Sequence, residues 1–184
     1  MITSKPLELS GRTLQLEVGR LANQASASVL GRYGETMVLA TVVEGRKSEL
    51  GYLPLMVEYV ERLYAGGRIK GSRWVKREGR PSDNAILNAR LIDRSIRPLF
   101  PKDYKNEVQV VVTVLSVDGD NDPDILAIVT TSAALAISSI SWKGPISAVR
   151  IGSVQEGKEV AKTSEFLVNP KGTELGFSDL DLVV

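Results

Sequence analysis

Cationic side chains dominate the chemistry available in one part of this sequence. Between Arg62 and Arg97 lie ten basic residues (Arg62, Arg68, Lys70, Arg73, Lys76, Arg77, Arg80, Arg90, Arg94 and Arg97) and three acidic ones (Glu78, Asp83 and Asp93), so these 36 residues carry +7. The other 148 residues hold thirteen basic and nineteen acidic groups, a net −6, and the whole chain is +1. A basic segment in an otherwise acidic body is the electrostatic footprint of a polyanion partner, because each Lys or Arg that neutralises a phosphate releases condensed counterions. A solvated basic loop with no partner is the plainer alternative. Within the segment, Trp74 stands beside Lys76 and Arg77 after a glycine-rich stretch. A ring there can stack on an unpaired base, worth about 1–3 kcal/mol, while the cations hold the adjoining phosphates. A Trp buried beneath the loop fits the composition equally well. Arg90, Arg94 and Arg97 follow at i, i+4 and i+7, one face of a helix. They read as a further phosphate-binding row or as a solvated, internally paired surface, and spacing alone favours the surface.

Other chemistries are excluded by residue type. The 184 residues contain no Cys and no His. Disulfides, thiolate nucleophiles, sulfur-ligated zinc and the usual serine or cysteine triads are therefore impossible, and carboxylate, Lys, Arg, Tyr and backbone chemistry remain. Gly66 to Ser72 (GGRIKGS) has the glycine spacing of a phosphate loop, but no Lys stands between Gly71 and Ser72 and no helical pattern starts there. The alternating run Asp118, Asp120, Asp122, Asp124 mimics a calcium loop. Pro123 occupies the place of the sharp-turn Gly and Val129 that of the bidentate Glu, so the run reads as a surface turn plus helix cap. No catalytic or metal-ligating residue is assigned in this chain.

These residues must be carried by a folded core. A chain of this length removes roughly 70% of its extended surface from water, and 43% apolar residues supply the interior. Thr13 to Val18 alternates with period two, and Ala25 to Tyr33 and Thr36 to Glu44 flank a Gly34 turn, so the first fifty residues read as a β-meander; Tyr52 to Tyr59 is a fourth strand. The run Met37 to Val43 reads as buried on both faces. Ser82 is the expected N-cap of a helix in which Ala85, Ala89, Ile92 and Ile96 make one apolar stripe, continued by Leu99 beyond the helix end. Asp93 is within reach of Arg90 and Arg97, and Pro98 stops the helix near Arg97. Val108 to Val117 is an apolar strand. Asp122 and Pro123 begin a second, buried helix running to about Ile140. Ile146 to Ile151, a turn near Glu156, and Glu165 to Val168 suggest hairpin strands. Two central helices among strands make an α+β domain with a βαβ-like middle.

The stretch Tyr64 to Pro101, YAGGRIKGSRWVKREGRPSDNAILNARLIDRSIRPLFP, closely resembles the polynucleotide phosphorylases, bacterial and organellar 3′-to-5′ exoribonucleases, in their first RNase PH-like core. LGRYGETMVLATVV (Leu30 to Val43), NDPDILA (Asn121 to Ala127), and FLVNP and LDLVV near the end extend the resemblance over nearly the whole chain. The resemblance implies a β-α-β-α, ribosomal protein-type two-layer fold over residues 1–184, left incomplete at a C-terminal strand. It implies phosphorolysis of single-stranded RNA to nucleoside diphosphates, with inorganic phosphate as co-substrate and Mg2+ as cofactor, both handled by a second core beyond this sequence. The fragment alone is then inactive. The implied assembly is a homotrimeric ring, with membership of an RNA-degradation complex open. The family's aromatic-aromatic-Arg-Arg pore loop corresponds to Trp74-Val75-Lys76-Arg77, with one ring lost to Val75 and Lys76 a looser phosphate contact than Arg. The RNA-binding residues so implied are Trp74, Lys76, Arg77, Arg80, Arg90, Arg94 and Arg97. Ser95 replaces a common Pro, which leaves the helix more regular. A non-catalytic ring subunit of an exosome-like assembly is the alternative.

Targeting signals are weak. Met1 to Ser10 mixes Lys5, Pro6 and Glu8, unlike a signal peptide, and the 16 residues from Ile125 to Ile140 are too few and too polar to span a bilayer. The chain reads as cytoplasmic, without membrane contact. Ending on LDLVV, it reads as an N-terminal piece of a longer protein.

Overall fold

The computed structural model describes residues 3–69, 71, 79–156 and 163–184. A six-stranded sheet forms the centre, in the order β1-β2-β3-β4-β6-β5. Strands β1 (Thr3–Leu9), β2 (Arg12–Val18), β3 (Ala27–Tyr33) and β4 (Thr36–Lys47) make an antiparallel meander. β5 (Leu55–Glu61) does not extend it. The chain passes through helix α1 (Asp83–Ile96) to β6 (Asn106–Ser116), which inserts antiparallel to β4 and parallel to β5. The expected βαβ middle is this β5-α1-β6 unit.

Helix α2 (Pro123–Ile137) lies over β3 and β4, and α1 lies over β5. Both cover the same face, so the apolar residues alternate in their burial. Val38, Ala40 and Val42 of β4 and Val108, Val110, Val112 and Val114 of β6 point at the helices and are buried. Between them Met37, Leu39 and Thr41 are half-buried, and Val43 is 40% exposed. The reading of β4 as buried on both faces is thus corrected: the period-two pleat sends alternate residues away from the single helical layer. Ile92 and Ile96 of α1 and Ile128 and Leu135 of α2 fill the other side of the core. Gly31 lets α2 approach, since a Cβ there would sit 2.1 Å from Thr130 Oγ1.

A second sheet, β8-β7-β9, is built from β7 (Arg150–Glu156), β8 (Thr163–Val168) and β9 (Leu180–Val183), with a single turn of helix, α3 (Gly172–Leu175), before β9. The strand expected from Ile146 begins later, at Arg150, and the turn after Glu156 lies outside the described residues. β1 matches none of the expected strands. It is an edge strand with six of its seven residues exposed and Pro6 within it, so it carries no burial alternation to read. None of the described helices is long and apolar enough to cross a membrane.

Candidate nucleic-acid interface

Helix α1 positions the arginines, and its own sequence fixes where it starts. The Ser82 hydroxyl accepts from the Ala85 backbone N–H (3.0 Å), as expected of an N-cap, and donates to Glu61 Oε2 (2.7 Å), tying the helix start to the end of β5. Ala85, Ile92 and Ile96 are buried toward the sheet, while Ala89 is half-buried. Ser95 sits within the regular helix, its hydroxyl donating back to Leu91 O (2.8 Å). Helix α1 gives way at Arg97 to a 3-10 turn through Pro98.

With that stripe turned inward, Arg90 and Arg94 face outward, one turn apart, about 6 Å along the axis. Neither meets a carboxylate among the described residues. Arg97 behaves differently. Its Nε and Nη2 donate to Asp93 (2.9 and 2.7 Å), and Nη1 and Nη2 also donate to the carbonyls of Leu53 and Leu55 (3.3 and 3.1 Å). The Asp93 bond raises its pKa further, and the guanidinium straps the end of α1 to the start of β5. Asp93 therefore fixes Arg97 and not Arg90. Trp74, Lys76 and Arg77 lie outside the described residues.

Arg80, just before the Ser82 cap, is exposed. It lines an open depression at the start of α1 together with Arg62 and Arg68. A second depression runs alongside between β5 and α1, with Arg90 on its wall. The structure thus brings Arg80 and Arg90 to one side of the β5-α1 unit, with Arg94 a turn further along the helix. It adds Arg68, which belongs to the basic segment but which spacing alone does not single out. Leu87, 60% exposed, and Ile86, 41% exposed, share this outer surface of α1. In the sequence their apolar character is masked by the arginines that define the face.

On the opposite side of the molecule, charged groups are consumed by the fold. Arg12 donates to Asn121 Oδ1 and to the Asn169 carbonyl and stacks 4.7 Å from the centre of the Tyr33 ring. Arg150 donates to Asp122, pairs with Asp181 in a two-pronged contact (2.7 and 2.9 Å), and lies 3.7 Å from Asp124. Burial raises the Asp124 carboxyl despite that neighbour, while Asp181 is lowered by the Arg150 hydrogen bond. Asp122 occupies the N-cap position of α2, but its side chain makes no capping bond. The cap is corrected to a bridge, because Arg150 claims the carboxylate. The turn half of that reading fits: Asp118 accepts from the backbone N–H groups of Asp120, Asn121 and Glu35 and from Asn121 Nδ2. Burial opposes ionisation there, but these bonds together hold Asp118 down at about 2. Asp120 lies 3.8 Å from Lys171. Among the described residues no group of acidic side chains is arranged to hold a metal ion, and this run, already engaged with backbone, Arg150 and Lys171, does not fit magnesium.

Residues 10–141 match the model of the 3′ exoribonuclease family, domain 1. The chain belongs to this family. A polyribonucleotide nucleotidyltransferase of Thermomicrobium roseum is 50% identical over 186 residues, covering 100% of this chain and 22% of the relative. Those of a Roseiflexus species and of Gemmatimonas aurantiaca are 51% and 52% identical, covering 100% and 95% of this chain and 24% and 23% of theirs. The chain spans less than a quarter of the length of these relatives. Among solved structures, rice Rrp46 superposes with a TM-score of 0.64 at 17% identity, covering 100% of this chain and 73% of that one. A chain of the Archaeoglobus fulgidus exosome with RNA bound to the active site gives 0.58 at 18% identity, covering 100% and 71%. The fold of this 3′ exoribonuclease-family chain is the RNase PH-like α+β fold.

Proposed function

We propose that this chain is the first RNase PH-like core of a polyribonucleotide nucleotidyltransferase, and that its β5-α1 side grips single-stranded RNA while phosphorolysis takes place in a second core. The observation that carries this reading is the set of outward guanidinium groups, Arg80, Arg90 and Arg94, which have no carboxylate partner among the described residues, on the one segment of strong positive charge. Cations without internal partners suit phosphates, which are bound through charge and not through base identity. Trp74, Lys76 and Arg77 join this grip in the reading, whereas Arg97 acts by holding α1 in place. The names of the half-identical relatives and the RNA bound to the archaeal exosome neighbour support the same substrate class.

Under this reading Mg2+ and inorganic phosphate are handled by the second core. The active unit is a cytoplasmic homotrimeric ring, open to association with an RNA-degradation complex. The test is a phosphorolysis assay with poly(A), phosphate and magnesium. The full-length protein is expected to release ADP and the 184-residue chain none. Release by the short chain would overturn the division of labour, and no release by the full-length protein would favour a non-catalytic ring subunit.

A further inference from the structure

The two depressions between β5 and α1 share Tyr59, Val60, Pro81 and Ala85, so they form one continuous trough. We propose that this trough seats a nucleobase of single-stranded RNA, with the base lying on an aliphatic floor and the flanking phosphates held by arginines at the two ends. The proposal rests on the RNA-gripping role argued above and adds a contact that phosphate binding does not supply.

The distribution of charge along the trough carries the argument. Arg68 and Arg80 stand at one end and Arg90 at the other, each exposed and without a carboxylate partner among the described residues. Between them the floor is apolar: Val60, Pro81, Ala85, Ile86 and Ala89. Ile86 lies one helical turn before Arg90 and is 41% exposed, an apolar cost that a covering ligand would remove. Three carboxylates border the trough. Glu61 accepts from the Ser82 hydroxyl and Asp93 is taken by Arg97, which leaves Glu58 without a partner among the described residues. Glu58 borders the depression that holds Arg90, and Glu61 the one that holds Arg68 and Arg80, whereas the residues the two depressions share carry no charge. The arginines therefore offer the phosphate contacts at the ends, and the uncharged middle suits a neutral, flat group. A strand of nucleotides has that alternation. A base leaves its stack at least cost in a single strand.

The test uses the full-length protein and two fluorescein-labelled RNA strands of equal length: oligo(A), and the same backbone with abasic residues. Wild type is expected to bind oligo(A) about tenfold more tightly than the abasic strand, in line with base contacts of this kind. Ile86→Ser is expected to reduce that discrimination measurably, with stacking elsewhere in the grip keeping the remainder, while leaving the salt dependence unchanged, because no phosphate contact is lost. Leu87→Ser, on the same helix but off the trough, is expected to behave as wild type. Arg90→Ala is expected to weaken both strands alike and lower the salt slope by about 0.7. If Ile86→Ser keeps full discrimination while Arg90→Ala still weakens binding, the base seat is wrong and the RNA grip stands. If neither variant affects RNA, the functional reading itself fails. If Ile86→Ser instead changes the oligomeric state by light scattering with the discrimination intact, the trough is a protein interface and the proposal is overturned.

Discussion

Arginines on the two sides of this molecule are put to opposite uses. Arg12 of β2 reaches Asn121 and the Asn169 carbonyl beyond β8, Arg150 of β7 links the start of α2 to β9, and each is surrounded by acceptors supplied by distant parts of the chain. Arg80, Arg90 and Arg94 line the outer side of the β5-α1 unit without such acceptors among the described residues. The same side chain is cement in one place and an available cation in the other. What decides is whether the fold delivers a carboxylate to it. Arg97 marks the boundary: it continues the spacing of Arg90 and Arg94 but is claimed by Asp93 and two carbonyls.

The contrast can be broken most forcefully at Arg150. Arg150→Ala leaves Asp122, Asp124 and Asp181 facing one another, two of them partly exposed, and is expected to cost about 2–3 kcal/mol, toward the lower end for a broken buried pair. Urea unfolding of the variant reads this directly; a midpoint equal to wild type would make Arg150 as dispensable as a surface cation. Arg97→Ala should cost less, about 1 kcal/mol, since its head is 40% exposed and solvent can replace part of its bonding. A loss of RNA affinity with no loss of stability in that variant would move Arg97 to the gripping side of the comparison.

Acid sensitivity gives a smaller and more local effect. Asp118 titrates at about 2 in the fold against 3.8 normally, so its ionised form favours the folded state. That contribution is present above about pH 4 and is lost as the pH falls toward about 2. Asp118→Asn is therefore expected to be less stable than wild type near neutral pH, with the difference closing by about pH 2. A constant difference across that range would mean the turn is held by shape alone. Smallest of all, Arg94→Ala is expected to leave stability within about 0.5 kcal/mol of wild type. A larger loss in thermal unfolding would show that this arginine, too, is cement.

How far the sequence alone could reach follows the same divide. Local signals are legible: the Ser82 cap, the inward stripe of α1 and the outward turn of Arg90 and Arg94 all depend on residues a few positions apart. Contacts between distant segments are not. Nothing in the spacing of Asp122 announces that Arg150 will take its carboxylate 28 positions later, or that Arg12 will reach Asn169 across 157. β1 is hidden for a different reason, since an exposed edge strand has no buried face to write into its pattern. Spacing puts Asp93 in range of two arginines, but only the carbonyls of Leu53 and Leu55, brought in by β5, explain why it holds Arg97.

The most direct test of the arginine grip is the salt dependence of single-stranded RNA binding by the full-length protein, compared with its Arg90→Ala, Arg94→Ala double variant. Two lost phosphate contacts should weaken binding across sequences and reduce the slope of log affinity against log salt by about 1.4, at roughly 0.7 per contact for single strands. An unchanged slope, with the protein folded, would remove this face of α1 from the RNA path.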